Sequence, residues 1–218
     1  MTFRTPSAAS DPRRFIELNL PLRPVPGLES IRLHTAHPGS GLRRLLGVDS
    51  GAPPYWAYPW AGGSVLARFF LDRPQTVSGR RVLDLGAGGG IVGIAALKAG
   101  AASVLAAETD ALGLTALQLN AAANGVLIET VATDLLDASP PAVDLVAVGD
   151  LFYEKRLARR VAAFLDRCAG AGIEVFVGDP GRAHLPRERL LWLADYAVLD
   201  FGEAAVSQPS SVYAFTRT

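Results

Sequence analysis

Cysteine is almost missing from this 218-residue chain. Cys168 stands alone, so no internal disulfide can form, and a reducing compartment fits. Histidine is scarce as well: His34, His37 and His184 form no His/Cys/acid cluster that suggests a metal. Net charge is absent, with 21 Lys and Arg against 21 Asp and Glu, which removes the broad electrostatic case for a nucleic-acid or membrane partner. No apolar run approaches the ~20 residues that cross a bilayer, and residues 1–10 lack the apolar core of a secretory signal. The expectation is a soluble, cytoplasmic protein of bacterial type, with its oligomeric state left open.

What is abundant is apolar. A hydrophobic content of 50% beside 19% charged residues suits a buried parallel sheet, and the length suits one domain with a short N-terminal extension. The extension is set at residues 1–52: a polar tail to about Arg14, then Phe15 to Leu20 in loose alternation and a short strand over Ile31 to His34. Pro21, Pro24 and Pro26 force an extended path between them and deny a helix, so an arm or β-ribbon is expected. The main domain takes residues 53–218.

That domain is organised around residues 81–90, RVLDLGAGGG, followed by the helix-like run from Ile91 to Lys98. An apolar strand entering a glycine turn and then a helix makes an open floor with backbone N–H groups for a flat, polar cofactor. Gly86 and Gly88 fit the first two places of a dinucleotide fingerprint, but Ile91 holds the third, and Asp84 stands two residues before the loop. A carboxylate there is awkward beside a pyrophosphate and well suited to an ammonium group, directly or through water. S-adenosylmethionine carries an ammonium and a sulfonium and no phosphate. Ser103 to Ala107 reads as the next strand, and Glu108 at its end stands where an acid grips ribose hydroxyls, in either cofactor family. The run from Leu83 to Gly90 resembles the first motif of class I S-adenosylmethionine-dependent methyltransferases. The resemblance implies an α/β, doubly wound, Rossmann-like sheet of seven strands with an antiparallel last strand.

Two of the three tryptophans, Trp56 and Trp60, lie in residues 53–64 (PPYWAYPWAGGS), ahead of an expected helix over Val65 to Leu71. Aromatic faces stack on flat ligands and attract cations; they also pack a helix on a sheet, and the two roles are compatible. The run from Trp56 to Gly63 resembles the seven-strand protein lysine methyltransferases, especially those acting on the electron transfer flavoprotein β-subunit. The ribosomal protein L11 methyltransferases are a more distant likeness.

Leu112 to Asn124 has helical spacing and Ile128 to Ala132 reads as a strand with Asp134 past its end. The resemblance implies that Asp134 accepts the adenine amino group; a turn cap is the other reading of that acid. In residues 143–153, VDLVAVGDLFY, a buried strand delivers Asp150 and Tyr153 to its carboxyl end, where open α/β sheets place ligands. The pair resembles the acidic-x-x-aromatic motif of the lysine methyltransferases, so Asp150 is expected to orient an ammonium beside the cofactor and Tyr153 to add a ring face or a hydroxyl. Leu151 and Phe152 stand where methyltransferases of base or glutamine amines resemble one another in carrying two prolines. Cys168, near the end of a helical run from Glu154 to Arg167, is expected to be inert.

Ile173 to Gly178 is a further strand, and the turn Asp179-Pro180-Gly181-Arg182 again resembles the flavoprotein-modifying group. Arg182 either contacts an acidic substrate loop or fixes that turn with Asp179. Pro186 to Ala194 reads as a helix, and Ala197 to Phe201 with Ser211 to Thr216 as a closing hairpin. The implied activity is methylation of a lysine on the flavoprotein β-subunit, with S-adenosylmethionine as cofactor. Other readings are a methyltransferase of small amines or of another protein such as ribosomal protein L11, and a non-catalytic cofactor-binding protein.

Overall fold

A computed structural model describes residues 11–42, 53–201 and 205–217. The described residues begin with helix α1 (Pro12–Asn19) and a hairpin of β1 (Leu22–Val25) and β2 (Leu28–His34). The main domain then runs α2 (Ala61–Asp72), β3 (Arg81–Leu85), α3 (Ile91–Lys98), β4 (Ser103–Ala107), α4 (Ala111–Ala123) and β5 (Glu129–Val131). It closes with β6 (Leu145–Gly149), α5 (Lys155–Gly170), β7 (Glu174–Asp179), β8 (Leu190–Phe201) and β9 (Ala205–Phe215). No helix among the described residues is long and apolar enough to cross a membrane.

Seven strands form one sheet in the order β5-β4-β3-β6-β7-β9-β8. The first five are parallel, and β9 runs antiparallel to both β7 and β8. The parallel strands are apolar on both faces because helices cover both. Val82, Leu145 and Phe176 join Leu66, Phe69, Phe70 and Ile94 on one side. Leu83, Val146 and Val177 meet Val161, Phe164 and Leu165 of α5 on the other. The break in strand order between β3 and its two neighbours β4 and β6 leaves a crevice at the strands' carboxyl ends, where ligands of such sheets bind.

Two expected elements differ. Residues 15–20 do not alternate as a strand: Phe15 to Asn19 belong to α1 and Leu20 caps its end, and the start of the helix is set by Asp11, with its carboxylate accepting the N–H groups of Arg13 and Arg14, and by Pro12 in the first turn. Ile16 and Leu20, four apart, are both buried and pack with Trp56, Ala116 and Leu119. The expected helix over Pro186 to Ala194 is absent too. A short 3-10 turn at Arg187–Arg189 leads into β8, which begins at Leu190 and pairs with β9 through a register shift between Trp192 and Ala194. A helix of two turns there would leave β9 without its outer partner, so sheet pairing overrides a run whose apolar spacing fits both structures.

Candidate functional site

The sequence places an acid at the end of each of three neighbouring strands, and the sheet gathers them. Asp84, Glu108 and Asp150, with Trp56, Trp60, Gly86, Gly88, Asp134 and Tyr153, all line one cleft of about 570 Å³ at the carboxyl ends of β3, β4 and β6. Leu33 of the N-terminal hairpin and Arg182 line it as well. Every residue picked out from the sequence as a candidate for cofactor or acceptor is therefore in a single place.

The floor is the loop from β3 to α3. Gly86 has φ 71° and Gly88 φ 52°, a region L side chains rarely adopt. A Cβ on Gly86 would also come within 2.8 Å of Leu151. Glu108 braces this floor: its Oε2 accepts the Gly88 N–H at 2.7 Å and its Oε1 the Asp110 N–H at 2.8 Å. Behind the loop, the fully buried Asn120 of α4 donates to the Gly89 carbonyl at 2.8 Å and accepts the His34 N–H at 2.7 Å. One turn on, Asn124 accepts the Arg32 N–H and donates to the Arg32 carbonyl. Two asparagines thus tie β2 to α4, and one of them ties both to the glycine loop.

Asp84 is only 2% exposed and accepts one hydrogen bond, from the Gly93 N–H at 2.9 Å. Burial, with the Glu108 charge adding to it and Gly93 opposing, pushes its carboxyl up to about 7. Asp134 is held differently: burial works upward, but the Leu136 N–H and the Arg160 guanidinium outweigh it and leave the carboxyl below its ordinary value. Both readings of Asp134 survive in the geometry, since it caps the turn and lines the cleft.

The acceptor end is built by β6, β7 and the start of α2. Asp150 has φ 59°, which makes it the one non-glycine residue with positive φ among the described residues. Its Oδ2 accepts the Gly63 N–H at 2.9 Å, and its Oδ1 faces Arg182 Nη2 at 2.6 Å and Nε at 3.2 Å. Burial raises the carboxyl to about 6, with Arg182 and Gly63 pulling it down and Asp179 pushing it up. Arg182 therefore reaches into the cleft, and the Asp179 carboxylate fixes its turn by accepting the Gly181 and Arg182 N–H groups. Gly62 and Gly178 let α2 touch β7 directly, since a Cβ on either would lie 2.2 Å from the other's carbonyl oxygen.

Aromatic rings form the mouth. Tyr153 is 47% exposed and its ring centroid lies 5.5 Å from Tyr55, which is 5.9 Å from Trp60. The Trp60 indole donates to the Tyr55 carbonyl at 2.7 Å. Trp56 is buried beneath, packed with Ile16 and Leu119, and its Nε1 has no hydrogen-bond partner among the described residues. Cys168 is buried in α5, its thiol pushed up to about 11 by burial, as expected of an inert cysteine. Sequence reasoning missed Gly63, Asn120 and Leu33. The Gly62-Gly63 pair at the head of α2 was the available signal for the first, whereas nothing local marks the other two.

The strand order and the crevice it opens define the class: this is a methyltransferase-fold α/β domain. A protein of Pyrococcus horikoshii described as an RNA methyltransferase superposes with a TM-score of 0.58 at 17% identity, over 77% of this chain and 89% of its own, a likeness of fold alone. The family profile for ribosomal protein L11 methyltransferase (PrmA) matches residues 66–148. The electron transfer flavoprotein β-subunit lysine methyltransferase of Rattus norvegicus is 39% identical over 151 residues, 66% of this chain and 59% of its own length. Its counterpart in Xenopus laevis is 36% identical over 201 residues, 89% of this chain and 82% of its own. The chain belongs to the electron transfer flavoprotein β-subunit lysine methyltransferase family.

Proposed function

We propose that this chain transfers methyl groups from S-adenosylmethionine to a lysine side chain of the electron transfer flavoprotein β-subunit. The observation that carries the reading is the position of Asp150 and Tyr153 at the carboxyl end of β6, sharing one cleft with the glycine loop and its flanking acids. The names of the relatives that match most of the chain supply the acceptor.

The residues fit the cofactor. Asp84 is a buried carboxylate with one hydrogen bond and no cation beside it among the described residues, a group that an ammonium would satisfy directly or through water. Glu108 keeps lone pairs for ribose hydroxyls beyond the two N–H groups it already accepts. Asp134 stands on the same wall for an adenine amino group, and Trp56 and Trp60 supply apolar faces. When bound, S-adenosylmethionine supplies a methyl group on a sulfonium, open to in-line displacement by a neutral amine.

The protein's part is alignment and proton control. A lysine in water has a pKa of about 10.4 and must lose a proton before it attacks. Desolvation behind the rings of Tyr55, Tyr153 and Trp60 favours the neutral amine, as does a nearby positive charge. Asp150 pulls the other way, so its role is to accept an N–H and hold the nitrogen in line, with the proton passing to water rather than to a strong base.

The test is incubation with methyl-labelled S-adenosylmethionine and purified electron transfer flavoprotein, read by intact mass and peptide mapping. Label on a β-subunit lysine is expected. Asp150→Asn, which tolerates the positive φ, should lower kcat/KM by about 100-fold or more while cofactor affinity stays near that of the wild type. Label on free amines and none on folded protein would move the acceptor to small molecules, and cofactor binding without turnover would remove the enzyme reading.

A further inference from the structure

One contact in the cleft is not explained by cofactor binding or by the acceptor motif. Arg182 directs Nε and Nη2 of its guanidinium at Asp150, a residue already accepting a backbone N–H. The arrangement is constructed from below. The wholly buried Asp179 fixes the backbone of residues 181 and 182 through its Oδ1, and Arg187 donates to the Gly181 carbonyl from the other side. The resulting ion pair is largely out of solvent, with side-chain exposures of 23% and 13%. A turn that needed only its own stability would not aim a cation into a cleft.

We propose that Arg182 is a positioning residue of the acceptor site: it is the built-in counter-ion that keeps the Asp150 carboxylate charged and turned to offer one Oδ2 lone pair to the incoming nitrogen. A carboxylate has about four acceptor positions. Nε and Nη2 of Arg182 occupy Oδ1 and the Gly63 N–H takes one place on Oδ2, so one remains. The guanidinium has a second effect, since a positive charge beside an amine disfavours its ammonium form. This acceptor role rests on the methyl-transfer reading; the counter-ion role does not.

The charged and titratable groups that bear on Asp150 are Arg182 and Asp179 from the end of β7, with the N–H end of α2 at Gly63. Tyr153, on the same loop as Asp150, is itself held above its ordinary value, by burial first and then by Tyr55, Glu154 and Glu108, and stays neutral through the acid range. Asp150 is thus the group whose charge Arg182 controls.

The experiment is a titration of 13C-labelled aspartate carboxyls by NMR, on the full chain without added cofactor, with the Asp150 signal assigned by its loss in Asp150→Asn. Arg182→Gln should raise the Asp150 midpoint by about 1–3 pH units, and Arg182→Lys should return most of the shift. The acid limb of kcat/KM for methyl transfer should move upward with the midpoint. If Arg182→Gln does not fold, Arg182→Lys against the wild type still gives the answer, because loss of the Nε contact should leave an intermediate midpoint. A midpoint that neither substitution moves overturns the assignment. A raised midpoint in a protein that methylates no lysine upholds the counter-ion and rejects the transfer reading, and an unmoved midpoint in an active enzyme does the reverse.

Discussion

Asp84 shows how a single residue trades stability for a site. Its carboxyl titrates near 7 in the fold and near 3.9 in the unfolded chain, so between those values the folded state holds a proton that the unfolded state has lost. Stability therefore falls as pH rises from about 4 to about 7, and the penalty is complete above that window. Asp84→Asn keeps an acceptor for the Gly93 N–H and never ionises. It should stabilise the cofactor-free protein by up to a few kcal/mol at pH 8 and by less at pH 5, while weakening cofactor binding about tenfold or more. Thermal unfolding at the two pH values and calorimetry check both halves; a gain equal at pH 5 and pH 8 would clear Asp84 of the burial penalty. Asp84, Glu108 and Asp150 were legible in the sequence because each ends an apolar strand, where a charge has no packing role. The Asp150–Arg182 pair was not, because 32 residues separate its members and only the pairing of β6 with β7 brings them together.

Among the elements, α4 joins the N-terminal hairpin to the cleft. Its Asn120 connects β2 to the glycine loop through two hydrogen bonds in a fully buried place. Asn120→Ala leaves the His34 N–H and the Gly89 carbonyl without those partners, at a cost of about 1–3 kcal/mol. Urea unfolding should show that loss, and calorimetry should show weaker cofactor binding, since the loop loses its rear support; an unchanged affinity would separate the arm from the site. The elements read most directly from sequence were those with one dominant signal, such as β3 with its glycine turn. Those misread had two. In α1 the Asp11-Pro12 start outweighed a loose alternation, and in β8 the leucine-rich run that reads as a helix is a strand, with Leu191 and Trp192 60% and 58% exposed.

At the scale of the molecule, residues 11–42 are structurally part of the domain they precede. Val25, Leu28, Ile31 and Leu33 belong to the same core as Phe69 and Ile94, and Ile16 and Leu20 cover Trp56. A chain shortened to begin at Pro53 should uncover that surface, bind an apolar dye and lose its cooperative thermal transition; a sharp transition at an unchanged temperature would show the arm to be an accessory. The order of the parallel strands follows from a sequence that alternates strand and helix, whereas the position of the arm follows from contacts that no local pattern encodes. The direct touch of Gly62 on Gly178 has a consequence for anyone redesigning this cleft. With backbone against backbone, any side chain added at either position would strike the facing carbonyl, so the acceptor end keeps its shape only while both stay glycine. Libraries meant to admit a different acceptor should leave positions 62, 63 and 178 alone and vary Tyr55 and Tyr153, where the rings meet open water and shape can change without moving the frame.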